Sequence, residues 1–60
     1  MEQPVKNLPC VEFIDACGEW HVRVVEEDQQ RTRSFEIERS ALAYAERQRR
    51  RLELADFTRI

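Results

Sequence analysis

Apolar and polar residues alternate through much of the first half of the chain. Cys10-Val11-Glu12-Phe13-Ile14-Asp15-Ala16-Cys17 is rich in strand formers, and a strand over 10–17 puts Val11 and Phe13 on one face with Glu12 on the other. Gly18, the single glycine, lies between two apolar runs and predicts the positive-φ position of a hairpin turn. Trp20-His21-Val22-Arg23-Val24-Val25 then repeats with a period of two: Trp20, Val22 and Val24 point one way, His21, Arg23 and Val25 the other. Residues 26–31 hold no large apolar side chain and read as a solvated loop. Residues 32–37 alternate again, with Phe35 and Ile37 on one face and Ser34 and Glu36 opposite.

From Glu38 to about Leu54 the period becomes helical. At about 100° per residue, Ala41, Ala45 and Leu52 fall within about 40° of one another, with Leu42 at the margin. Small residues in this stripe let a helix approach a sheet closely. Arg39, Arg47, Arg50 and Arg51 belong to the far side. Acids at the start and arginines near the end complement the helix dipole. Ser40 is the one preferred capping residue nearby and would cap a later start. Glu46 with Arg50, and Arg49 with Glu53, stand at i,i+4 and can pair. Leu54, Phe57 and Ile60 leave the stripe; they either fold back on the sheet or meet another chain.

These elements predict an α+β fold: a three-stranded antiparallel meander with one C-terminal helix on one face, a βββα order with short connections. The expected core is Val11, Phe13, Trp20, Val22, Val24, Phe35, Ile37, Ala41, Ala45 and Leu52. The expected open sheet face carries Ile14, His21, Arg23, Val25 and Arg33, a part-apolar mixture suited to pairing with another surface. Residues 1–9, with Pro4 and Pro9, read as a flexible leader. Residues 10–54 read as the domain and 55–60 as a C-terminal tail.

Size sharpens this picture. The chain has 60 residues, and a core of that scale supplies only about 3–5 kcal/mol of net stability unless a staple, a metal or a partner adds to it. No apolar run approaches the ~20 residues that span a bilayer, and the amino end lacks the basic-then-apolar layout of a secretory signal. A cytoplasmic location is the expectation. Charge is unevenly spread: the formal net charge is −2, but residues 1–38 set four cations against nine acids, and residues 39–51 set five arginines against one glutamate.

Candidate chemistry is sparse. Cys10 and Cys17 on one strand stand roughly 23 Å apart at ~3.3 Å per residue, too far for a disulfide, whose α-carbons lie about 4.4–6.8 Å apart. Reduced thiols, an intermolecular disulfide, or a metal site with His21 are the open readings. The C-x6-C-x3-H spacing matches no usual zinc knuckle. Ser34 and Ser40 lie in no nucleophile elbow, and one glycine makes no phosphate-cradling loop. No catalytic residue, cofactor or metal is therefore expected, and the chain does not read as an enzyme. Arg39 and the run Arg47-Gln48-Arg49-Arg50-Arg51 form either a basic helix for nucleic acid or a partner, or a solvated face whose stems cover apolar surface.

The string Trp20-x-Val22, then Arg33-Ser34-Phe35, then Ala41-Leu42-Ala43-Tyr44-Ala45 resembles small uncharacterised bacterial β-β-β-α domains. The element order is also similar to the three-strand-plus-helix DNA-binding modules of plant AP2 factors and some transposon integrases. The second resemblance implies groove reading by a basic sheet face, whereas the sheet-forming half here is acidic and repels phosphate. The first implies no activity. The functional expectation is a small protein-interaction module that self-associates or binds a protein partner. The alternative is a nucleic-acid-binding or regulatory accessory protein using the arginine-rich helix.

Overall fold

The computed structural model describes residues 8–60. Most of the expected leader lies outside the described residues. Among the described residues, four strands and one helix follow in order: β1 (Cys10–Ala16), β2 (Glu19–Val25), β3 (Gln30–Phe35), α1 (Glu38–Arg51) and β4 (Thr58–Arg59). The sheet runs β3-β2-β1-β4, with antiparallel pairs along the meander and β4 parallel to β1. The fold is α+β, with one helix packed on the sheet.

The first hairpin closes as its glycine requires. Ala16 pairs with Glu19, leaving Cys17 and Gly18 as a two-residue loop. Their φ values are 46° and 93°, the double-positive pattern of the hairpin turn whose twist matches that of the strands. Cys17 thus belongs to the turn, and β1 ends one residue earlier than its strand-forming composition indicates. The second hairpin loop is shorter than expected, because β3 begins at Gln30. The Glu26 N–H donates to the Gln29 carbonyl at 2.8 Å and closes it.

One face of the sheet and one side of the helix make the core. Val11, Phe13, Val22 and Val24 meet Ala41 and Ala45 there, all nearly or wholly excluded from solvent. Val11 opposes Val24 and Phe13 opposes Val22, so the core face is built from cross-strand pairs. Burying each of these large side chains contributes about 1.5–3 kcal/mol. The two alanines let the helix sit low over the strands. Trp20, Phe35, Leu42, Tyr44, Leu52, Leu54 and Phe57 close the rim, half-buried. The Trp20 indole N–H is buried there and has no hydrogen-bond partner among the described residues.

Ile37 departs from the expected core. It is the N-cap residue of α1, at φ −126° and ψ 123°, and is 62 % exposed. The alternation that would pair it with Phe35 needs the strand to continue, but the chain bends after Phe35 to climb onto the sheet. No side chain caps the helix start; the first turn is closed by the Ala41 N–H on the Ile37 carbonyl at 3.1 Å. Ser40 lies inside the helix and does not cap it.

The helix stops at Arg51 rather than near Leu54. Glu53 takes φ 59°, its N–H donates to the Arg50 carbonyl at 3.0 Å, and the Leu54 N–H donates to the Arg49 carbonyl at 2.9 Å. This is the Schellman arrangement, with a glutamate where glycine is usual. It reverses the chain, so that Phe57 packs on Phe13 at 6.2 Å between ring centroids. Residues 58–59 then join the edge of β1, and the Ile60 N–H donates to the Phe13 carbonyl at 2.8 Å. Two residues of the expected tail, Thr58 and Arg59, are thus part of the sheet.

Candidate functional site

The face of the sheet turned away from the helix carries Cys10, Glu12, Ile14, His21, Arg23, Val25, Thr32 and Ser34, as the strand register requires. Its polar groups are paired across strands. Arg23 donates to the opposing Glu12 carboxylate in a side-on ion pair. His21 Nδ1 lies 2.9 Å from the Ser34 hydroxyl, and its Nε2 lies 3.6 Å from the Glu19 carboxylate. Ile14, half-buried, stands opposite His21. Four of the five residues expected on this face are there. Val25 is among them, but it is buried (8 % exposed) and stands outside the core cluster, opposite Cys10.

Arg33 is the exception. It pairs with Val22 and so stands on the helix side of the sheet. Positions 33 and 35 share a face by the two-residue period; grouping Arg33 with His21 and Arg23 missed that parity. Its guanidinium carbon sits 5.4 Å from the Phe35 ring centroid and 5.3 Å from that of Tyr44. Those two rings are themselves 5.4 Å apart. The cation is therefore fixed over an aromatic step at the rim of the core, a contact worth about 0.5–1 kcal/mol at exposed sites.

The arginine-rich helix does not present one continuous basic patch. Arg49 turns inward: it grips Glu46 through two donors, and its Nη1 donates to the Leu54 carbonyl at 2.9 Å. The expected Arg49–Glu53 pair does not form, because Glu53 occupies the chain reversal. Arg50 reaches the same Glu46 at 3.3 Å, the i,i+4 pair the spacing predicts. Arg51 bonds Gln48 at 2.8 Å and crosses to Glu26 of the β2–β3 loop at 2.7 Å, so it is not simply a far-side cation. Arg39 and Arg47 are exposed and make no ion pair with another described residue. Arg47 and Arg50 line, with Ala43 and Glu46, an open hollow on the outer side of the helix.

The electrostatics follow these pairs. The Arg51 guanidinium bonded to Glu26 holds its carboxyl below the ordinary range, with weaker help from Arg31. Arg49, bonded to Glu46, lowers that carboxyl likewise, and the carboxylate in turn raises Arg49. Both thiols are free, Cys10 half-buried and Cys17 exposed. Among the described residues, no three His, Cys, Asp or Glu side chains gather as a metal would need. No described helix is long and apolar enough to cross a membrane.

Two residues at the β3 rim escaped sequence reasoning. Arg31 lies opposite Val24 and shares the helix face with Arg33, and Tyr44 supplies half of the aromatic step beneath Arg33. Extending the alternation of 33 and 35 back to 31 would have found the arginine pair. Only packing reveals the tyrosine. No family model, curated protein or solved structure matches this chain.

Proposed function

We propose that the chain is a small non-enzymatic interaction module that binds a protein partner, a second copy of itself included. The observation that carries this reading is the sheet face left without a helix. There the half-buried Ile14 sits among polar groups that already satisfy one another, Glu12 with Arg23 and His21 with Ser34. A face whose charges are paired in place can be covered without leaving a buried charge orphaned. The small core supplies the motive, since association adds burial that a chain of this size lacks.

The reading through nucleic acid draws less support. Phosphate binding needs several cations free to converge, and Arg49, Arg50 and Arg51 are engaged by Glu46 and Glu26.

The test is sedimentation across concentration, together with affinity capture from the host scored for protein and nucleic acid, on the wild type and on Ile14→Glu. Self-association, or a retained protein lost in the variant, supports the proposal. A monomer at all concentrations with nothing retained overturns it, as does retention of nucleic acid alone.

A further inference from the structure

We propose that the outer edge of β3 takes up an acidic, extended segment of a partner protein as an added strand. This deepens the interaction reading and rests on it. Among the described residues β3 is the last strand of the sheet, and all six of its residues are exposed or half-exposed.

The hydrogen-bonding row can be assigned. The Glu26 N–H to Gln29 carbonyl bond marks that pair as hydrogen-bonded. Along an antiparallel ladder such pairs alternate with open ones. Arg31, Arg33 and Phe35 therefore bond inward to Val24, Val22 and Trp20, and the N–H and C=O groups of Gln30, Thr32 and Ser34 face outward. The register runs unbroken from Trp20–Phe35 to Val25–Gln30, with no bulge, and the strand holds no proline. Proteins commonly close an edge with those devices.

Charge selects the occupant. The strand carries Arg31 and Arg33 on one face and no acid. Arg33 is held in place by Phe35 and Tyr44. Of the flanking acids, Glu26 is bonded to Arg51, while Glu27, Asp28 and Glu36 lie beyond the two ends of the strand. Two β3 strands pairing about a two-fold axis would bring these arginines opposite or diagonal to their own copies in every register that keeps the helices on one side, which is destabilising. The same arginines favour a strand with glutamate or aspartate at alternate positions. Nucleic acid fits less well, because the edge presents carbonyl acceptors between its donors, and phosphate offers only acceptors. A peptide backbone satisfies both.

The test follows amide resonances of the full chain on titration with four probes. These are a short peptide alternating glutamate with valine, its lysine counterpart, the glutamate peptide N-methylated at alternate residues, and oligothymidylate. The proposal expects saturable shifts at Gln30, Thr32 and Ser34 with the glutamate peptide, weakening with salt. It expects affinity lower by about tenfold or more, some 1.4 kcal/mol, for the N-methylated and lysine peptides.

Thr32→Pro removes an outward donor without touching an inward bond and should abolish the response while the rest of the spectrum persists. Arg31→Glu with Arg33→Glu should reverse the preference to lysine. The edge assignment is overturned by shifts confined to other surfaces, by no shift at millimolar peptide, by equal response to both charges, or by oligothymidylate binding at Arg31 and Arg33. If partner capture or self-association sensitive to Ile14→Glu persists in those cases, the broader interaction reading stands and only the edge assignment fails.

Discussion

Cys17, Ile37 and Glu53 hold backbone positions that other residues hold better. Cys17 and Glu53 sit at φ 46° and 59°, where a β-carbon is crowded and glycine or asparagine is favoured. Ile37 caps a helix with no side-chain acceptor to offer. Each site is exposed, so a change there leaves the core intact. Ile37→Ser should stabilise the fold by about 0.5–2 kcal/mol, the usual worth of a capping hydroxyl. Cys17→Asn and Glu53→Gly should each add roughly 0.5–1 kcal/mol, the glycine gain being reduced by the extra freedom it gives the unfolded chain. Urea unfolding measures all three; unchanged or lower midpoints would contradict the assigned turn and cap geometries.

At the scale of elements, the helix is moored at both ends. Glu38 in its first turn lies 3.5 Å from Arg59 of β4, and Arg51 in its last turn holds Glu26. Arg49 ties the reversal by bonding Glu46 and the Leu54 carbonyl. Arg49→Ala should therefore loosen the path to β4 before it loosens the meander. Hydrogen exchange should quicken first at the Leu54 and Ile60 amides, with those of β1 and β2 still protected; uniform quickening would argue against this role.

The same pairs set an acid limit. Glu26 and Glu46 have carboxyls lowered in the folded state by bonds from Arg51 and Arg49. The unfolded chain therefore binds more protons, and stability rises with pH through this range. Their contribution is complete above the ordinary glutamate value of about 4.3 and is lost as pH falls from there through the lowered folded values. Glu26→Gln with Glu46→Gln should flatten the dependence of the unfolding midpoint on pH in that window. An unaltered slope would show that other carboxylates govern it.

For the molecule as a whole, the last residues decide whether the sheet has three strands or four. Phe57 packs at a tilt against Phe13, Arg59 lies 4.9 Å over the Phe13 ring, and the Ile60 N–H donates to the Phe13 carbonyl. Removing residues 55–60 should cost about 1–2 kcal/mol for the lost apolar burial of the half-buried Phe57 alone, a large share of what so small a core supplies. Thermal unfolding of the truncated chain checks this, and an unshifted midpoint would mean that β4 is incidental.

The order of elements was open to reading because it rests on local chemistry. Alternation marks strands, one glycine marks a turn, and a change of period marks the helix. Val11, Phe13, Val22, Val24, Ala41 and Ala45 could be named as core from those periods alone. The candidate surfaces were legible only in part. The open face kept Ile14, His21, Arg23 and Val25, since strand parity is a property of the chain. The fate of the arginines was not legible: whether Arg49 faces solvent or clasps Leu54 depends on where the helix stops, and that stop is set by Glu53 adopting a conformation its residue type disfavours. The pairing of β4 with β1 and the stacking of Arg33 on Tyr44 likewise join residues far apart in sequence. Periodicity sees only neighbours a few positions away, so contacts that close such long loops were decided by tertiary packing alone.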